Sequence, residues 1–210
     1  MDDAAIRTLV DFIEKRKIQT DSVIGPIESS ECFVDSWRSS NGPPAKLSLH
    51  TGVYELTSVR FPKMDDRILI PIDAVSPNIA VQYILGFLTD CFPDMDEPET
   101  ATEKIFDHHL QDRTLFFWKS SEDPVPVCMA ARARQSRNAA TISLVYTPPD
   151  LRRHGHASRM VAALSARCLK EGKKFCNLFA DLTNPTSNAI YQEIGYRKIG
   201  ENKHFKFIRP

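Results

Sequence analysis

The stretch Val145–Met160, "VYTPPDLRRHGHASRM", places three basic residues, a glycine and a further histidine at the mouth of a predicted helix. Ala157, Met160, Val161, Leu164 and Cys168 fall at helical spacing after Gly155, and Gly172 follows in the position of a C-terminal cap. Cations at a helix start cost about a few tenths of a kcal/mol each, because the positive end of the dipole already lies there. A bound phosphate reverses that sign. Amides of a loop entering a helix converge on an anion, and Gly155 and the small Ala157 let it approach closely. Arg152, Arg153, His154 and His156 are the donors that would surround it.

A second constellation lies in "DLTNPTSNAIYQEIGYRKI". Asn184 is a predicted N-cap, Pro185 suits the first helical position and Gly195 suits the end. Ile190 and Ile194 form an i, i+4 pair facing a core. Asn184, Asn188 and Tyr191, spaced i, i+4 and i+7, share one polar face, suited to a ligand that carries amides and a titratable end.

These groups need strands and helices to hold them. "TISLVY" reads as a buried strand that Pro148 and Pro149 must end. From Arg67 onward the predicted order is strand (RILIPI), helices near Pro77–Cys91 and Glu97–Leu110, then strands Thr114–Lys119, Val125–Arg134 and Thr141–Thr147. Helix Ala157–Lys170, strand Phe175–Asp181, helix Pro185–Ile194 and strand Arg197–Ile208 complete it. Phe175–Asp181 is apolar on both sides and is expected to be central. The first 66 residues read as helix Ala4–Ile18, strand SVIGPI, helix Ser29–Arg38, a loop at NGPPAK, and one long strand or two short ones in LSLHTGVYELTSV. "RFPKMDD" reads as a linker. The expected domains are therefore an N-terminal extension, 1–66, and a main domain, 67–210.

Composition narrows the function classes. The 210 residues are 42% hydrophobic and 26% charged, within the globular range, with formal net charge zero. Zero net charge, and no aromatic residues interleaved with the basic stretch, argue against a nucleic-acid partner. No run reaches the roughly 18 apolar residues that span a bilayer, and the N-terminus lacks the pattern of a signal peptide. Five dispersed cysteines fit reduced thiols, so the expected location is cytoplasmic. No metal site is expected, since no ligand set stands at chelating spacing.

Taken together, the strand–TPPDLRRHGHA–helix–strand–NPTSNAIYQEIGY–strand series resembles the GNAT superfamily of acyl-CoA-dependent N-acetyltransferases. Arg152-Arg153-His154-Gly155-His156-Ala157 is similar to that superfamily's pyrophosphate loop. Asn184, Tyr191 and Gly195-Tyr196 are similar to its asparagine–tyrosine–glycine–aromatic signature, and the resemblance covers about two thirds of the chain. It implies an α/β (α+β) fold with a central mixed, largely antiparallel sheet, splayed between two strands, and helices on both faces. Residues 1–66 are similar to an extension that forms a partial second copy of the fold.

The resemblance further implies acetyl-CoA as cofactor. Arg152 through Ser158 would hold its pyrophosphate, Val145, Tyr146 and Thr147 would pair with the pantetheine amides, and Asn184 and Asn188 would bind from the other side. Tyr191 would be the general acid for the leaving thiolate. The acceptor would be the amine of a small molecule or a protein, attacking directly, and the molecule a monomer or homodimer. A glutamate on the strand before the loop, frequent in relatives, is missing. Asp181, His108, His109 and Glu103 stay open as general bases. The alternative is a non-catalytic acyl-CoA sensor or interaction module on the same fold.

Overall fold

A computed structural model of the chain describes residues 2–40 and 42–208. Asn41, the first residue of the predicted NGPPAK loop, lies outside them. The elements are α1 (Asp3–Lys15), β1 (Ser22–Pro26), α2 (Ile27–Ser39), β2 (Ala45–Leu56), β3 (Ile68–Pro71), α3 (Pro77–Cys91), α4 (Pro98–Asp112), β4 (Leu115–Lys119), β5 (Cys128–Gln135), β6 (Ala139–Tyr146), α5 (His156–Lys170), β7 (Phe175–Asp181), α6 (Pro185–Ile194) and β8 (Arg197–Phe207). The strands hydrogen-bond in the order β1-β8-β2-β7-β6-β5-β4-β3. Pairing is antiparallel for β1–β8, β3–β4, β4–β5 and β5–β6 and parallel for β6–β7, the mixed and largely antiparallel sheet expected.

Element order from β3 onward matches the sequence reading, and α3, β7 and α6 keep their predicted bounds. β5 starts at Cys128 rather than Val125. Pro124 and Pro126 lack the N–H that a ladder needs, and Val127 is the first residue after them to donate, to Trp118 O at 2.9 Å. Of LSLHTGVYELTSV, Leu47–Leu56 lie in one long strand and Thr57–Val59 fall beyond its end. Among the described residues no helix is long and apolar enough to cross a membrane.

Compactness divides the chain into two units, each discontinuous in sequence. The first comprises residues up to 54, 179–188 and those from 198 onward. Asp2 caps α1 by accepting from Ala5 N at 2.8 Å, and Ile6, Val10 and Ile13 form the buried stripe of that helix. They close a core with Phe33 and Trp37 of α2 and Phe207 of β8. The rings of Phe33 and Trp37 stack at 5.8 Å, and Trp37 meets Phe207 at 5.5 Å.

The second unit comprises residues 55–178 and 189–197. Leu115 and Phe117 of β4 and Met129 and Ala131 of β5 point to one face, where they pack with Tyr83, Ile84 and Leu88 of α3. Phe116 points to the other, beneath the guanidinium of Arg167 from α5 at 4.9 Å. Period-two alternation along β4 therefore puts helices on both faces of this part of the sheet.

Candidate functional site

In the second unit the site begins with an irregularity. β6 pairs Tyr146 with Met129 and Ser143 with Ala131, so three steps on β6 answer two on β5. The extra residue is a β-bulge at Leu144, whose φ is +50°. Left-handed backbone costs a leucine about 1–2 kcal/mol, and such strain persists only where surrounding packing fixes it. Leu144 is held against the α3 core. The bulge bends the end of β6, where Val145, Tyr146 and Thr147 remain partly accessible.

Tyr146 lies against α3. Its ring meets Tyr83 edge-on at 5.8 Å and closes on Gly86, where a β-carbon would collide with the phenol. Thr147 donates from Oγ1 to Cys128 Sγ at 3.3 Å. Its carbonyl accepts from Arg152 Nε at 3.0 Å, and the same guanidinium pairs with Asp90 and lies 5.9 Å from the Tyr146 ring centroid. Arg152 is thus committed to bracing the loop. Asp90 balances its charge in this structure.

After a short turn at Pro149–Leu151 the loop reverses through two left-handed residues, Arg153 (φ +67°) and Gly155 (φ +74°). The first α5 bond runs from Arg159 N to Gly155 O at 3.2 Å. Helix geometry therefore leaves the amides of His156, Ala157 and Ser158 without intrahelical acceptors at the positive end of the dipole. Arg153 and His154 are exposed beside them. His154 and His156 stack at 5.8 Å. Burial, reinforced by Arg67 and Arg159, lowers the His156 pKa below its usual value, so that imidazole is neutral at pH 7. Its Nδ1 is buried without a partner among the described residues.

Arg153 is the exposed cation at the loop; Arg159, outside the expected donors, also reaches it but shares its charge with Asp65 at 3.6 Å. Arg159 donates from Nη1 to His154 O at 2.6 Å, and its guanidinium lies 3.3 Å from where a Gly155 β-carbon would stand.

Tyr191, on the part of α6 belonging to this unit, is 8% exposed. Its ring meets Tyr196 edge-on at 6.1 Å. Burial, with smaller contributions from Cys128 and Cys91, pushes the phenol well above its ordinary pKa of 10.0. The group stays protonated across the physiological range, as a proton donor must. Tyr196 uses its hydroxyl on Ser165 Oγ at 2.8 Å and supports Tyr191 from behind.

In the first unit, Asn184 caps α6 by accepting from Ser187 N at 3.1 Å, as its position predicted. Asn188 differs from expectation. Its Nδ2 donates to Asp181 O and Asn184 O at 2.7 and 2.6 Å, and its Oδ1 accepts from Tyr54 at 2.6 Å. The amide of Asn188 is spent on locking the β7–α6 turn and does not present a polar face. Asp181 accepts from Thr183 N and Oγ1, both at 2.8 Å, closing the same turn.

The acid–base groups left open divide by burial. His109 is buried, bonds Thr114 Oγ1 through Nδ1 at 2.6 Å, and has its pKa lowered to about 4 by burial. His108 is exposed, 3.6 Å from Asp112, and Glu103 is exposed on α4.

Comparison with known proteins agrees with this architecture. Residues 126–205 match the family model for FR47-like protein, a family related to the GNAT acetyltransferases. A GCN5-related N-acetyltransferase from Kribbella flavida is 17% identical, with a TM-score of 0.65 over 100% of this chain and 78% of its own. A GNAT-family acetyltransferase from Colwellia psychrerythraea is 11% identical, with a TM-score of 0.64 over 96% and 72%. A Drosophila protein, 13% identical with a TM-score of 0.67, is covered over 61% of its length by 90% of this chain, so the chain spans less than two thirds of it. No curated protein sequence matches. The chain thus has the GNAT acetyltransferase fold.

Proposed function

We propose that this chain transfers an acetyl group from acetyl-CoA to the primary amine of a small molecule or protein, within a ternary complex. The observation that carries the proposal is the set of outward amides at His156, Ala157 and Ser158, behind two left-handed residues. Gly155 fits the group: its φ and missing β-carbon bring bare backbone to the place where a pyrophosphate needs it. Arg153 and His154 supply further donors, and Arg152 keeps the loop in register with Thr147. Val145 and Thr147, beyond the bulge, offer backbone groups to pantetheine amides. Asn184 and Asn188 fix the turn that launches the helix bearing Tyr191.

Bound acetyl-CoA supplies the activated thioester. The Tyr191 hydroxyl gives its proton to the departing thiolate as the acceptor nitrogen takes the acetyl group, and burial keeps that proton in place beforehand. The acceptor amine must arrive neutral, and the proton its nitrogen sheds on acylation passes through solvent to reprotonate the Tyr191 phenolate. Calorimetry with acetyl-CoA, followed by a free-thiol assay over an amine panel, tests the proposal. Binding without turnover of any amine would instead favour the acyl-CoA sensor. One observation supports that second reading: Asp181 and His109 are both bound up in structural hydrogen bonds.

A further inference from the structure

Residues 58–67 join β2 to β3 without a helix or strand of their own, yet they are tied to two parts of the candidate site. Arg60 donates from its backbone N–H to Ile194 O at 2.7 Å and from Nη2 to Gln192 O at 2.6 Å. These carbonyls belong to the last turn of α6, which helix geometry leaves without intrahelical donors. A residue more than 130 positions away in sequence therefore serves as the C-terminal cap, and Tyr191 precedes Gln192 in the same turn. Gly195, at φ +114°, completes the join. A β-carbon there would lie 3.0 Å from the carbonyl oxygen of Ser58.

Three residues beyond Arg60 the segment reaches the other part. Lys63 O accepts from Arg159 Nε at 2.7 Å, and the same guanidinium donates to His154 O in the glycine loop. Asp65 pairs with Arg159 at 3.6 Å and with Arg67 at 2.9 Å. Arg67 makes a two-pronged contact with Asp123, 2.8 Å at each oxygen, and Asp123 also accepts from Ser120 N. Bidentate geometry and partial burial make this the firm anchor.

We infer that residues 58–67 are a strap that fixes the Tyr191 turn of α6 and the glycine loop together. Arg60 is the positioning residue for Tyr191, and Arg159 is the positioning residue for the loop. The inference rests on the acetyltransferase function proposed above only for its kinetic consequence. Misplacing a catalytic group by about 1 Å can lower turnover on the order of 100-fold. The two Arg60 contacts add to the local bonds that close the same turn, Gly195 N to Gln192 O at 3.1 Å and Tyr196 N to Tyr191 O at 2.9 Å, and tie it to the strap.

The test combines hydrogen–deuterium exchange with steady-state kinetics on the full chain, for wild type, Arg60→Ala, Arg60→Lys, Arg159→Ala and, as a strap control, the exposed Asp66→Ala. In Arg60→Ala, amides over 189–197 should exchange roughly tenfold faster while β4 and β5 keep their protection. In the same variant kcat should fall about 10- to 100-fold, with the KM for acetyl-CoA within about twofold of wild type. Arg60→Lys should recover part of kcat. Arg159→Ala should instead loosen 152–158 and raise that KM. Unchanged exchange over 189–197 in Arg60→Ala overturns the strap, as does loosening spread evenly over the whole unit. So does an unchanged kcat beside an active wild type. A wild type that neither binds nor uses acetyl-CoA defeats the proposed function, and the exchange data then still decide the strap.

Discussion

The Tyr54 hydroxyl donates to Asn188 Oδ1 at 2.6 Å, between residues 1% and 9% exposed, 134 positions apart in sequence. That bond completes the Asn188 amide, whose two donors already hold Asp181 O and Asn184 O. Tyr54→Phe leaves the oxygen buried with one partner fewer and should destabilise the fold by about 1–3 kcal/mol. Asn188→Ala strands two carbonyls as well and should cost more. Urea unfolding of both single variants and the double variant measures this. Costs that add without coupling would show that the bond contributes nothing.

Gly155→Ala probes the loop. The Arg159 guanidinium at 3.3 Å is the end of a flexible chain and can move, so the penalty comes from φ +74° rather than from crowding. A stability loss of about 1 kcal/mol is expected, with acetyl-CoA affinity weakened well beyond it, since the loop can relieve strain only by turning its amides away. Calorimetry checks this. Equal affinity for variant and wild type would remove the loop from cofactor binding.

Tyr191→Phe deletes one oxygen in a buried place and keeps the ring contact with Tyr196. Turnover should fall about 100-fold or more, with acetyl-CoA binding unchanged. Because burial raises the phenol pKa above 10, wild-type activity should show no alkaline decline from this group below that pH. A Tyr191→Phe enzyme with full turnover would exclude it as the acid.

Spacing in the sequence reported what is local. Asn184 followed by Pro185 fixed the start of α6, and the apolar stripe after Gly155 fixed α5, because a cap or a helical face is decided within one or two turns. What spacing does not report is partners far along the chain. Asn188 looked like a ligand-facing amide because its spacing to Tyr191 is visible and Tyr54 is not. The neighbours of Arg152 are visible in the sequence, while its partner Asp90, 62 residues earlier, is not. Leu144 gave no sign at all, since leucine has no preference for a left-handed bulge. That conformation is imposed by the register of β5. "RFPKMDD" read as a linker because its bonds are made mostly through backbone carbonyls and long-range arginines, which leave no periodicity.

His109 supplies the last prediction, on pH. Its ordinary pKa of 6.5 drops to about 4 on folding, chiefly through burial, with His108 adding to the drop and Asp112 opposing it. Between these values the unfolded chain binds more protons than the folded one, so stability falls as pH falls from 6.5 toward 4. His156 and His204, also lowered by burial, act in the same direction. One such histidine contributes a slope of at most about 1.4 kcal/mol per pH unit. The carboxylates Asp123, Glu171 and Glu201 are held below their ordinary values of 3.8, 4.5 and 4.5 by their cationic partners, so their loss comes in only as pH nears and falls below those values. Denaturant midpoints from pH 7 to pH 4.5 should therefore decline in wild type and decline less steeply in His109→Gln, which cannot take up the proton. Parallel profiles would mean that His109 titrates alike in the folded and unfolded chain.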